Sequence, residues 1–199
     1  MNFKRFFLTT LGSLLSFNIT AYQTIFYRLI SILLIPLDFL FEQIEKLFIK
    51  PEKKLKDPRI LFVIGLHRSG ATVVAQHLNI HLDLNNFSNY QILFKRSAYI
   101  HQYFKSKVKK IIFRNFYGNS FLLNDVSDLN EFWNFHLNIK NNEFIEKNFK
   151  PSKKIYDYLQ LFYSFNKKII LIKNGRGLFI VKQLSKLFKK SYFIIVDRD

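Results

Sequence analysis

The segment Arg59–Leu78, RILFVIGLHRSGATVVAQHL, limits the fold more than any other part of the chain. Ile60 to Ile64 is an apolar run too short for a buried helix. Its β-branched residues and the Gly65 that follows predict a fully buried strand. Gly65 and Gly70 bracket a four-residue loop, and from Thr72 to Ile80 the pattern is that of a helix. A glycine-bracketed loop that opens a helix turns backbone N–H groups toward an anion, at the positive end of the helix dipole. The expected ligand is therefore phosphate-like or sulfate-like. The alternative is a plain strand–helix turn with two incidental glycines.

The loop differs from that of a nucleotide-hydrolysing site, which carries Lys and then Ser or Thr directly after the second glycine. Those places hold Ala71 and Thr72, and the cation sits inside the loop as Arg68. A guanidinium presents a fixed fork of donors that matches a tetrahedral oxyanion bidentately. Ser69 and Thr72 supply further hydroxyls. The anion-holding half of such a site is strong and the metal-handling half weak.

A second segment has matching form. Lys168 to Ile172 reads as a strand, followed by Lys173-Asn174-Gly175-Arg176. A helix is expected from about Leu178 to Phe188, then a strand over Ser191–Val196 closed by Asp197-Arg198-Asp199. Strand–helix–strand with short connections predicts a crossover onto a parallel α/β sheet. Lys173 and Arg198 then fall at carboxyl ends of strands, the edge at which open α/β sheets bind ligands, together with the Gly65–Gly70 loop.

These two segments resemble the sulfotransferases that use 3′-phosphoadenylyl sulfate (PAPS). That family's 5′-phosphosulfate loop reads Pro-Arg-Ser-Gly-Thr-Thr; here His67 replaces the Pro and Ala71 the first Thr. The family's later pattern is strand-Lys-Asn-Pro, helix, then a strand closed by Arg-Asp-Pro; here Gly175 stands for the first of those prolines and Lys189 follows Phe188 where Pro is usual. The resemblance covers Arg59 to Asp199. It implies a P-loop NTPase-like three-layer sandwich with a mainly parallel sheet, and transfer of a sulfuryl group from PAPS, as cosubstrate, to a hydroxyl or amine acceptor, without a metal. Carried over by position, Arg68 stabilises charge on the leaving phosphate. Gly65, His67, Arg68, Ser69, Gly70, Ala71 and Thr72 form the phosphosulfate cradle. Lys173 contacts the transferring group or holds the substrate side, and Arg198 binds the 3′-phosphate. Family members carry an acidic cluster ending in Glu-Phe, which makes Glu131 the candidate general base; a plain helix-start carboxylate is the other reading, with Asp128 or Ser127 as the cap. The family also uses residues beyond its Arg-Asp-Pro, so the resemblance implies a site that continues past Asp199, and weak binding and little or no turnover in a chain that stops there, whether as a fragment of a longer protein or as a degraded copy. A P-loop kinase with Asp197 on magnesium and a non-catalytic module are the rival readings.

The first 50 residues have a different character. Leu15, Ile19, Tyr22, Phe26, Leu29 and Leu33 lie at helical spacing, as do Leu40, Ile44 and Leu47, and Pro36 predicts a kink. An interfacial amphipathic helix, a spanning helix and a helix packed on protein all fit this stripe. No small-residue cleavage site follows a short apolar core, as a removed signal peptide would need. The expected location is the cytoplasm or a membrane facing it. Residues 51–58 are charged and flanked by prolines, and read as a linker between this segment and a domain starting at Arg59.

Net charge is +17, which favours anionic partners, although an AT-rich coding sequence produces the same Lys and Asn excess. Cysteine is absent, which excludes disulfides and thiolate chemistry. His77 and His81, four apart, need a third ligand such as Asp83 to hold a metal, and read better as a polar helix end. Lys and Arg are mixed with aromatic residues between Leu93 and Tyr117. That mixture suits a solvated amphipathic helix better than a nucleic-acid surface. A further helix is expected over Pro151–Phe165.

Overall fold

The computed structural model describes residues 15, 17, 19–48, 57–66, 69–97, 115–116, 119–120, 123–128, 130–137, 153–175 and 181–198. Strand β1 (Ile60–Gly65) is central to the main sheet. It is flanked on one side by β5 (Ile170–Lys173), which pairs in turn with β2 (Asn85–Asn86), and on the other by β6 (Ser191–Val196). The order is β2-β5-β1-β6 and every pairing is parallel. A small antiparallel pair, β3 (Asn115–Phe116) with β4 (Asn119–Ser120), stands apart from it. The chain is thus α/β with a parallel sheet, as the sequence predicts.

Strand β1 carries no alternation of polar and apolar residues because both its faces are covered. Ile60, Phe62 and Ile64 join Ile170 and Ile172 on one face. There they pack under α6 (Lys153–Ser164), α5 (Asn130–Leu137) and α7 (Val181–Leu187), through Leu159, Phe132 and Leu184 among others. Val63 and Leu171 point the other way, onto Ala71 and Ala75 of α3 (Ala71–His81) and onto Val126. This is the two-residue period of a pleated strand read out on two cores. Aromatic rings fill the larger core: Phe62 stacks on Phe193 with centroids 5.1 Å apart, and Phe87 meets Phe162 at 4.7 Å. Each such ring contributes about 1.5–3 kcal/mol on burial.

Helices α1 (Ile19–Leu33) and α2 (Ile35–Phe48) are bent by 62° at Leu34. Pro36 lacks an N–H, and the helical bonding resumes with Asp38 N–H donating to the Leu34 carbonyl at 2.8 Å. The kink expected at Pro36 is therefore present. The carboxylate of Asp38 is buried and accepts the backbone N–H groups of Lys95, Arg96 and Ser97 at 3.0–3.1 Å, and the Ser97 hydroxyl at 2.9 Å. The segment is thus tied to the stretch that follows the short helix α4 (Tyr90–Leu93). No single described helix is long and apolar enough to cross a membrane; the bent pair Ala21–Leu33 and Ile35–Leu47 passes that test of length and composition together.

Several boundaries differ from the sequence reading. The helix expected over Leu93–Tyr117 does not reach its end, because Asn115–Phe116 is strand; residues 98–114 lie outside the described residues. So do 49–56, most of the expected linker. The expected helix over Pro151–Phe165 is observed as Lys153–Ser164, and the described part of the helix after β5 is Val181–Leu187.

Candidate anion-binding site

Three strand ends converge at the carboxyl edge of the sheet. Val63 is level with Lys173, and Gly65 with Val196. The Asn174 N–H donates to the Val63 carbonyl at 3.0 Å. An ideal Cβ on Gly175 would lie 3.6 Å from the Gly65 carbonyl, so the Lys-Asn-Gly turn packs directly against the start of the glycine loop. The two segments singled out in the sequence are thus neighbours.

The loop itself is tightly wound. The Ser69 N–H donates to the Leu66 carbonyl at 3.1 Å. Gly70 takes a left-handed conformation, φ 88°, which a side chain resists, and caps α3. The first helical bond runs from Val74 N–H to the Gly70 carbonyl at 3.1 Å. The amides of Ala71, Thr72 and Val73 therefore precede the helical ladder and sit at the positive end of the dipole. Ala71 and Thr72 are buried. The Ser69 hydroxyl is buried and has no hydrogen-bond partner. A buried hydroxyl without a partner costs free energy that a ligand oxygen would recover.

Gly65 cannot be replaced without movement. A Cβ there would collide with the Ser69 hydroxyl and meet the Val196 carbonyl at 2.7 Å. Ser69 folds back over β1 because this position has no side chain.

Lys173 is held in place. Its ammonium is 2.8 Å from Asp128 Oδ2, and both side chains are buried, 3% and 4% exposed. The other carboxylate oxygen of Asp128 accepts the Gly175 N–H at 2.9 Å. One carboxylate thus fixes the end of β5 and the turn after it. The sequence offers Asp128 or Ser127 as the helix cap. The two oxygens of Asp128 are instead committed to Lys173 and Gly175, and α5 begins at Asn130. No short-range pattern predicts this, because Asp128 and Gly175 are 47 positions apart.

Nearby, Gln76 of α3 donates to Asp125 Oδ2 at 2.6 Å, and Val126 N–H to Asp125 Oδ1 at 2.7 Å. Burial holds the Asp125 carboxyl above the ordinary carboxylate range, with the two hydrogen bonds opposing it. As pH rises through the ordinary value, the unfolded chain ionises while the folded Asp125 keeps its proton, so this group makes stability fall with pH until its folded pKa is passed. Asp125→Asn removes that loss, and the Gln76 Oε1, which has no partner, can turn to accept from the new amide. The variant is expected to gain melting temperature over the wild type at about pH 7 and to lose that gain near pH 4. Melting curves across pH for both proteins check this; a constant offset would contradict it.

The remaining predicted residues fall as follows. Arg198 is exposed just beyond β6, with its N–H bonded to Asp197 Oδ1 at 2.9 Å. Gly65, Ser69, Gly70, Ala71, Thr72 and Lys173 are gathered at the one edge. His67 and Arg68 lie outside the described residues. Glu131 is in the first turn of α5, and only its backbone is described. His77 and His81 stack with centroids 5.8 Å apart on the exposed side of α3, and Asp83 pairs with Lys168. Among the described residues no group of three His, Asp or Glu side chains could hold a metal.

Compared with protein-family models, with curated proteins and with solved structures, the chain matches none.

Proposed function

We propose that this chain is a PAPS-dependent sulfotransferase of the P-loop NTPase-like, three-layer α/β kind. The observation that carries the reading is the packing of the Lys173–Gly175 turn against the Gly65 carbonyl, which sets a pinned lysine beside a glycine loop with an unpartnered buried hydroxyl. Both features suit a tetrahedral anion whose oxygens must be held on several sides.

In the proposed reaction the acceptor oxygen or nitrogen attacks the sulfur in line, the sulfur–oxygen bond to the phosphate breaks, and 3′-phosphoadenosine 5′-phosphate leaves. Charge builds on the bridging oxygen, and fixed donors aimed there lower the barrier most. The amides at the start of α3, the Ser69 and Thr72 hydroxyls and Arg68 are the donors assigned to that end. Lys173 steadies the sulfuryl oxygens, and Asp128 acts as its positioning residue. Arg198, beyond the strand level with Gly65, takes the 3′-phosphate. Glu131 receives the acceptor proton. The residues present ask for no metal in any of these roles.

The experiment is a thermal-shift comparison of 3′-phosphoadenosine 5′-phosphate with ATP and Mg²⁺. The proposal expects stabilisation by the former that exceeds the latter at equal concentration, by the mass-action gain of a ligand that binds only the folded state. Stabilisation by ATP and Mg²⁺ alone would assign the loop to a phosphotransferase. A response to neither would favour a non-catalytic module.

A further inference from the structure

Helices α1 and α2 are amphipathic in the sense opposite to a helix of a soluble domain. Their buried positions include Ser31, Asp38 and Glu45, spaced seven apart on the side that meets the domain. Their apolar stripe faces away from it. Phe26 is 58% exposed, Leu33 77% and Leu47 72%; Tyr22, Leu29 and Leu40 lie along the same outer side. A soluble helix buries its apolar stripe and wets its polar side. Here the polar side is taken up by protein and the apolar side has no protein over it among the described residues.

The charges favour one occupant. Helix α1 contains no acid. The acids of α2 are turned inward or paired: Asp38 accepts the amides of Lys95 to Ser97, Glu45 is buried, and Glu42 meets Lys46 at 2.7 Å and Arg96 at 3.4 Å. Among the described residues the outer side is left apolar. Lys4 and Arg5 precede the pair in sequence, and Lys50, Lys53, Lys54 and Lys56 follow it. An apolar band flanked by Lys and Arg complements the acyl boundary and the anionic headgroups of a bilayer surface. The 62° bend at Leu34 shortens the reach of the pair along any one axis and suits helices lying in the interface plane rather than a straight span.

We infer that α1 and α2 dock the protein on the surface of an anionic lipid bilayer, the stripe through Phe26, Leu33 and Leu47 entering the acyl boundary. The inference is independent of the sulfotransferase reading. The carboxyl edge of the sheet can bind its ligand whether or not the helices meet a membrane.

The test is flotation of the full chain with vesicles of phosphatidylcholine, with and without phosphatidylglycerol. The wild type is expected to float with the anionic vesicles and about tenfold less with the neutral ones. Carbonate extraction should release it, as for an interfacial helix. Phe26→Glu with Leu40→Glu, both at exposed positions, should leave the melting temperature unchanged and cut flotation about tenfold. Three results would overturn the inference: wild-type protein that stays at the bottom with anionic vesicles, a double variant that floats as well as the wild type, or retention in the membrane through carbonate, which would make the pair a span. A dimer in light scattering that the same variant splits, with no lipid binding, would assign the stripe to a second copy of the chain instead.

Discussion

Asp128→Ala is expected to cost about 4 kcal/mol of unfolding free energy, measured by urea denaturation. The Asp128–Lys173 pair is buried on both sides, so removing the acid leaves an ammonium without its counter-charge in the core, and strips the Gly175 N–H of its acceptor. Lys173→Met should cost a similar amount for the mirror reason. The two losses should not add. Replacing both partners by apolar residues, Asp128→Leu with Lys173→Met, removes both charges together. That double variant is expected to lose about 1–3 kcal/mol, chiefly for the Gly175 N–H left without an acceptor, and so far less than the two single losses together, because a buried ion pair and an apolar pair of similar volume are close in net stability. Single losses that sum in the double variant would show that the pair does not act as a unit.

Gly65→Ala has the second large effect, and it separates fold from site. The added methyl meets the Val196 carbonyl at 2.7 Å, a backbone atom of β6, and also collides with the Ser69 hydroxyl. Ser69 can rotate away at little cost. The strand cannot, so β1 and β6 must part at their carboxyl ends. Overpacking of this kind costs about 1–3 kcal/mol. The rotation of Ser69 also moves the one buried hydroxyl in the loop that has no partner, so anion affinity should fall more than stability implies. Gly70→Ala is the control. Open space surrounds that Cβ, and only the left-handed φ resists it, at about 1–2 kcal/mol. Chemical denaturation read beside ligand titration distinguishes the two, since Gly65→Ala should lose binding under conditions where the variant is still folded.

The sheet was largely legible in the sequence, and the reason is local. Ile60–Ile64, Ile170–Ile172 and Ser191–Val196 are short apolar runs bounded by turn residues, and all three are strands. The glycine loop was legible because φ 88° at Gly70 and the close approach at Gly65 both select glycine. Asp128 was not legible as the partner of Lys173. A carboxylate near a helix start looks like a cap from sequence alone, and only the folded sheet brings it to β5. Gly175 departs from the Lys-Asn-Pro pattern, and the sequence offers no reason for it. The structure supplies one: its N–H donates to Asp128 at 2.9 Å, and a proline has no N–H to give. In the N-terminal helices the stripe was legible but its direction was not. Asp38 faces inward because the amides of residues 95–97 wait for it, and those come from a distant part of the chain.

In the proposed function the Gly65–Gly70 loop and the end of β6 hold opposite phosphates of one adenine nucleotide. Calorimetric titration of 3′-phosphoadenosine 5′-phosphate and adenosine 5′-phosphate into the wild type, Arg68→Ala and Arg198→Ala tests it most directly. Arg68→Ala is expected to weaken both nucleotides about equally, by tenfold or more, one charge-assisted contact being worth about 1.5–3 kcal/mol. Arg198→Ala is expected to weaken only the nucleotide with the 3′-phosphate, abolishing the preference for it. Equal affinity of the wild type for the two nucleotides, or a preference that survives Arg198→Ala, would contradict it.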